Sequence, residues 1–221
     1  MSSSDALAAI VKANAGFSDL ADAGIETHLV TTDLLSGHAV VLSKGPLVPA
    51  VLASAAVPGL YPPVELGGHH LVDGGVAQHS GVRYAVALGA TTVWVLPTGY
   101  PCALARPPRT AAGVALHALS LLTQQRLADE VATWSTRVTV KVMPPLCPLT
   151  VSPADFAHAV ELIDRARRAT SSWIERGADE LPDQERFLRL HHHGRTDDRT
   201  APEAEAHVAA PPAPAHAHPP S

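Results

Sequence analysis

The chain has 221 residues, 46% of them hydrophobic and 17% charged, with a net charge of −5. That is enough chain to bury a core, and too little positive charge to offer a basic face to nucleic acid. Two cysteines, Cys102 and Cys147, build no disulfide framework and are expected as reduced thiols. No apolar run reaches the roughly 18–20 residues of a bilayer-spanning helix. The richest, Leu47–Leu60, is broken by Pro49 and Pro58, and no transmembrane segment is expected. Residues Met1–Asp5 lack the basic and apolar regions of a secretory leader, so the expected compartment is the cytoplasm.

In chain order, a first helix is expected at Ala6–Ala13 and a strand at Ile25–Leu35. The turn Leu35-Ser36-Gly37 leads to a second strand, His38–Leu42. Gly45-Pro46 opens a helix of small residues, Leu47–Ala56, which Pro58-Gly59 stops. Val64–Leu66 and His69–Val72 flank Gly67-Gly68, a two-residue hairpin signal. A helix at Val82–Leu88 should end at Gly89. Thr91–Leu96 is β-branched and nearly all apolar, the pattern of a strand covered on both faces. A long helix from Arg109 to Trp134 and a strand at Val138–Val142 follow.

The last helix should start at Ser152 as N-cap, with Pro153 and Asp155 in its first turn. It should carry an apolar stripe of Phe156, Val160, Ile163 and Trp173, and end at Gly177. Strands alternating with helices predict an α/β layer fold. From His191 to Ser221 the chain is rich in Ala, Pro and His, with Val208 as its one large apolar side chain, which cannot offset the entropy of ordering it. The expected division is a folded domain over 1–177 and a disordered tail over 178–221.

The candidate chemistry lies in Ala53–Gly75, ASAAVPGLYPPVELGGHHLVDGG. A small-residue helix stops, a hairpin follows, and its second strand delivers Asp73 into Gly74-Gly75. Two glycines can take positive φ and lack Cβ, so the chain can bend sharply while another segment approaches. This would project one carboxylate from a strand end into a cleft. An Asp-Gly pair that merely initiates a tight turn is the alternative for the dipeptide in isolation.

The surrounding motifs resemble the C-terminal two-thirds of patatin-like phospholipases. The helix–PG–hairpin leading to D-G-G is one part of that likeness. TTDLLSG (Thr31–Gly37) with VVLSKGP (Val40–Pro46) resembles the preceding strand pair, and VRYAVALGATTVWVLPTG (Val82–Gly99) the following helix and strand. PPLCPLTVSPADFAHAVELI (Pro144–Ile163) is similar to a bacterial subgroup with an additional C-terminal helix. The likeness runs from Ser4 to Gly177, with a core motif region at about 25–99 and a helical extension at about 108–177. It implies a three-layer α/β/α fold with a mostly parallel sheet, here N-terminally truncated. It further implies a serine hydrolase acting on a lipid or other fatty-acyl ester through a Ser–Asp dyad, with peripheral membrane contact and no cofactor or metal.

By that resemblance Asp73 is the proton acceptor and Asp73, Gly74 and Gly75 form the motif. A carboxylate with a pKa of about 3.9 is a poor base at neutral pH, and burial in an apolar cleft would raise it. The serine would attack the ester carbonyl, and backbone N–H groups of a glycine-rich loop would hold the oxyanion.

The chain departs from the family at the nucleophile. No two of its 15 glycines lie four residues apart, so G-x-S-x-G occurs in no register. The glycine-rich oxyanion loop is also absent, since Gly67-Gly68 precedes His69-His70 and Gly74-Gly75 precedes Val76-Ala77. The expectation is a chain that holds the base but not the nucleophile, inactive alone. The second function class is a non-catalytic relic or a module binding lipid or protein.

Ser36, Ser43 and Ser54 lie in a turn, a strand end and a helix, not on a strand–turn–helix elbow. Asp33 is expected to bond its own turn. His69 and His70 are hairpin residues, and His117 and His158 helix residues. His191–His193 and His216–His218 lie in the tail, without a zinc-ligand spacing. Cys102 and Cys147 neighbour prolines in loops, with nothing adjacent in sequence to activate them. The Arg165–Arg168 cluster is expected to be a solvated helix face.

Overall fold

The computed structural model describes residues 4–77, 81–98, 103–104, 106–147, 156–182 and 184–191. It opens with α1 (Asp5–Asn14), whose Asp5 and Lys12 complement the helix dipole at its two ends. Then come β1 (Leu29–Asp33), β2 (Ala39–Leu42), α2 (Leu47–Ser54), β3 (Val64–Leu66) and β4 (His69–Asp73). The second half contains α3 (Gly81–Ala87), β5 (Thr92–Val95), α4 (Ala111–Trp134), β6 (Thr139–Val142) and α5 (Ala159–Glu175). Among the described residues no helix is long and apolar enough to cross a membrane.

The fold is mixed α/β, and the parallel character of its sheets is only partial. The first four strands form one sheet in the order β2-β1-β4-β3, with every pair antiparallel. Their connections explain this: β1 reaches β2 through the Leu34–His38 turn, and β3 reaches β4 through Gly67-Gly68, both at positive φ, the conformation a two-residue hairpin turn demands. Among the described residues only β5 and β6 pair in parallel, as the 24-residue crossover α4 requires. α3 ends as expected: Gly89 at φ 94°, its N–H donating to Val86 O and that of Ala90 to Ala85 O. Thr110 caps α4, its hydroxyl accepting from Gly113 N at 3.0 Å.

Two apolar groups stand out among the described residues. Leu20, Leu47 and Ala50 join α2 to the start of the chain. Val82, Val93, Val95, Val131, Val140, Val142 and Leu188 form a second group around the parallel pair. The strand β5 is covered on one face rather than two: Val93 and Val95 are buried while Thr92 and Trp94 are exposed. Trp94 is met edge-on by Trp173 of α5, with ring centroids 6.4 Å apart, and Lys141 Nζ lies over its ring at 5.0 Å from the centroid.

The expected stripe of α5 is likewise corrected. Trp173 is buried, but Val160 and Ile163 are 76% and 66% exposed. Thirteen residues of helix separate Val160 from Trp173, roughly 20 Å, and a two-stranded sheet is too narrow to cover that length. The proposed Ser152, Pro153 and Asp155 start of this helix lies outside the described residues.

The folded part also extends past Gly177. Residues 178–182 and 184–191 return to the core, with short 3-10 turns at Ala178–Glu180 and Gln184–Leu188. Leu188 joins the valine group, and Gln184 Oε1 accepts from Val142 N at 3.1 Å on the open edge of β6. Lys141 Nζ and Asp179 Oδ2 lie 2.6 Å apart, and that hydrogen bond holds the Asp179 carboxyl below its ordinary range. Leu188 and the partly buried Phe187, with the Gln184 amide on the edge of β6, order a segment assigned above to the tail. The remainder of that tail, 192–221, lies outside the described residues.

Candidate active site

Asp73 is the last residue of β4, and its backbone is held by β1 on one side and by the chain just after α2 on the other. It is in register with Thr31 of β1, and its N–H donates to Ala56 O, just beyond α2, at 3.0 Å. Thr32 completes the frame: its hydroxyl donates to Asp73 O at 2.9 Å and accepts from Ala77 N at 3.0 Å. A buried threonine on the central strand thus ties the strand end to the 3-10 turn Gly74–Ala77 that follows it.

The two glycines are required by close approach, not by positive φ. A Cβ on Gly74 would stand 2.5 Å from Val30 O and 2.9 Å from Val30 Cγ1. On Gly75 it would stand 3.0 Å from the Asp73 carboxylate and 3.1 Å from Thr123 Cγ2 of α4. Neither glycine is among those with positive φ. The bend therefore packs β1 below and α4 above with no side chain between them.

The carboxylate is half-buried, and its side chain has one hydrogen bond among the described residues, from Gly75 N to Oδ1 at 2.7 Å. Burial pushes its pKa up from the ordinary carboxylate value, and the Gly75 N–H opposes that shift only in part. This is the direction a general base needs. Arg126 of α4 reaches the carbonyls of this turn, donating to Val76 O at 3.2 Å. It thereby anchors α4 over the bend.

No seryl oxygen is hydrogen-bonded to Asp73 among the described residues. Ser54 Oγ donates to Val30 O at 2.9 Å, a packing role under β1. Ser36 Oγ donates to Asp33 Oδ2 at 2.7 Å, and that bond holds Asp33 below its ordinary pKa. Asp33 is therefore a turn residue with the opposite electrostatics to Asp73. His69 approaches it, with Nδ1 at 3.6 Å from Oδ2. No group of three or more metal-ligating side chains converges among the described residues.

Two surface concavities are present elsewhere. One of about 350 Å³ is lined by Arg167, Arg168, Ser171, Ser172 and Glu175. One of about 210 Å³ lies along the β3–β4 hairpin. Asp73 lines neither.

Thr32, Thr123 and Arg126, which position the bend, carry no signature at the sequence level. The one hint is that Arg126 is the first charged residue after a run from Thr110 to Gln125 without any.

Residues 4–86 match the family model described as patatin-like phospholipase. Curated relatives named as uncharacterized NTE family proteins come from Mycobacterium bovis and Mycobacterium tuberculosis. Each is 49% identical over 47 residues, 21% of this chain and 13% of the relative, so the matched stretch spans about an eighth of the relatives' length. The stretch similar to the patatin-like phospholipase family is thus residues 4–86, which include Asp73 and both glycines of its bend.

Proposed function

We propose that this chain contributes the general base of a patatin-type lipid acyl hydrolase. Asp73 accepts the proton of a seryl hydroxyl that these 221 residues do not carry on a G-x-S-x-G elbow. The observation that supports this best is the state of Asp73, a half-buried carboxylate with a raised pKa, held by Gly75 N at the end of a strand inside the family match. In the reaction the carboxylate takes the serine proton as the hydroxyl adds to the ester carbonyl. It returns the proton to the leaving alcohol, and the acyl-enzyme is hydrolysed through the same base. The substrate class is a fatty-acyl ester, taken by the chain only together with the segment that supplies the nucleophile.

A second function class, a non-catalytic relic or a module that binds lipid or protein, is favoured by the first half of α4. Val114, Leu121 and Leu122 are exposed there on a helix segment without a charge.

Fluorophosphonate labelling with a short-chain ester assay separates the two. The 221-residue chain alone is expected to take no label. A polypeptide joining it to a patatin-type segment bearing the serine elbow is expected to label and hydrolyse, and to lose hydrolysis by about 10²–10⁴-fold on Asp73→Asn. Hydrolysis unaffected by Asp73→Asn defeats the proposal, and failure of the joined protein to hydrolyse any acyl ester favours the relic.

A further inference from the structure

Cys147 and His191 are 44 residues apart in sequence and meet at the surface, with Cys147 Sγ 2.8 Å from His191 Nε2. This corrects the expectation that nothing activates Cys147, because the partner comes from the segment assigned to the tail. The ring has a defined orientation. His191 Nδ1 lies 3.2 Å from Arg189 O, a carbonyl that can only accept. Nδ1 therefore carries the hydrogen, and in the neutral ring Nε2 is left as the acceptor facing the thiol.

The pair is also fixed from both sides. Ala103 N donates to His191 O at 2.8 Å, and Gln124 Nε2 donates to Leu188 O at 2.8 Å, three residues before the histidine. Leu188 is buried in the valine core. Cys147 follows β6 through Pro144-Pro145-Leu146 and is exposed. An exposed sulfur beside an oriented imidazole is the arrangement that makes a cysteine nucleophilic, because the thiolate and not the thiol attacks.

We infer that Cys147 and His191 form a thiol–imidazole pair that undergoes exchange with low-molecular-weight disulfides, making Cys147 a covalent modification site separate from Asp73. In the step, the Cys147 proton passes to His191 Nε2, and Sγ attacks one sulfur of the incoming disulfide. The new Sγ–S bond forms as the disulfide's S–S bond breaks, and the leaving thiolate takes the proton from the imidazolium. The incoming disulfide is the oxidant and the departing thiol the reduced product.

The test uses the full chain with Cys102→Ser, so that Cys147 is the one cysteine, and glutathione disulfide as the probe. Intact mass is expected to show one glutathione per chain. At neutral pH the folded chain should react about tenfold faster than the same chain in urea, where the pair is broken. His191→Gln, which keeps the size and polarity of the side chain but takes no proton, should lower the rate to about that of the unfolded chain. A folded chain that reacts no faster than the denatured one overturns the inference. So does a folded His191→Gln variant that reacts as fast as its parent.

Discussion

The two halves of the molecule solve the same packing problem by different means. Residues 29–73 build a four-stranded antiparallel sheet whose strands are joined by tight turns or by the short helix α2. Residues 81–191 build a parallel pair that needs a 24-residue crossover and a returning segment to cover its valines. The first half needs small residues where backbones touch, as at Gly74 against Val30. The second needs a large side chain delivered from far along the chain, as Leu188 is. The family match ends at residue 86, so it covers the whole of the first construction and little of the second. Short connections bring the Asp73 carboxylate within a hydrogen bond of Gly75 N, and α4 of the other half closes over that bend. The second half tolerates exposed apolar surface.

The largest effect should come from Leu188→Ala. Removing a buried leucine costs about 2–5 kcal/mol, measurable as a fall in the urea unfolding midpoint. Amide exchange should quicken in β5 and β6 while β1 and β4 keep their protection. Equal loss in both halves would show a single cooperative unit and end the comparison.

Gly74→Ala attacks the first half in the same way. A Cβ 2.5 Å from a backbone oxygen forces β1 and β4 apart, at about 1–3 kcal/mol. Gly75→Ala, whose contacts are at 3.0 and 3.1 Å and end on side chains, should cost less. A reversed order in the unfolding midpoints would mean that the α4 contact, not the β1 contact, sets the bend.

The smallest effect sharpens the assignment of Asp73. Its raised pKa means that its favourable contribution is complete below the unfolded-state value of about 3.9 and is lost as pH rises through its folded-state pKa. Asp73→Asn should therefore raise the melting temperature at neutral pH, and the gain should vanish in acid. A variant less stable than the parent at neutral pH would show that the charged carboxylate is a structural anchor.

Much of the first half was legible because its signals are local. Gly67-Gly68 marked the β3–β4 hairpin and Pro58-Gly59 the stop after α2. The strand read as Ile25–Leu35 is shorter, Leu29–Asp33, the residues that pair in register with β2 and β4. The second half was misread where pattern stands in for neighbours. TTVWVL looks like a strand covered twice, yet Trp94 is 42% exposed, meeting one edge-on ring and the Lys141 ammonium. Val160 and Ile163 have helical spacing, but the described residues leave that part of α5 uncovered.

For the candidate site, the sequence by itself singled out Asp73 and the two glycines after it and showed that no G-x-S-x-G elbow occurs in these residues, because these are matters of residue type and spacing. The tertiary structure decided why the glycines are needed, since the approach of Val30 and Thr123 comes from β1 and α4, some 45 residues away on either side. It also decided that Asp73 and not Asp33 has a raised pKa. Two carboxylates of the same chemistry diverge because one is desolvated at a packed bend and the other accepts a hydroxyl in its own turn.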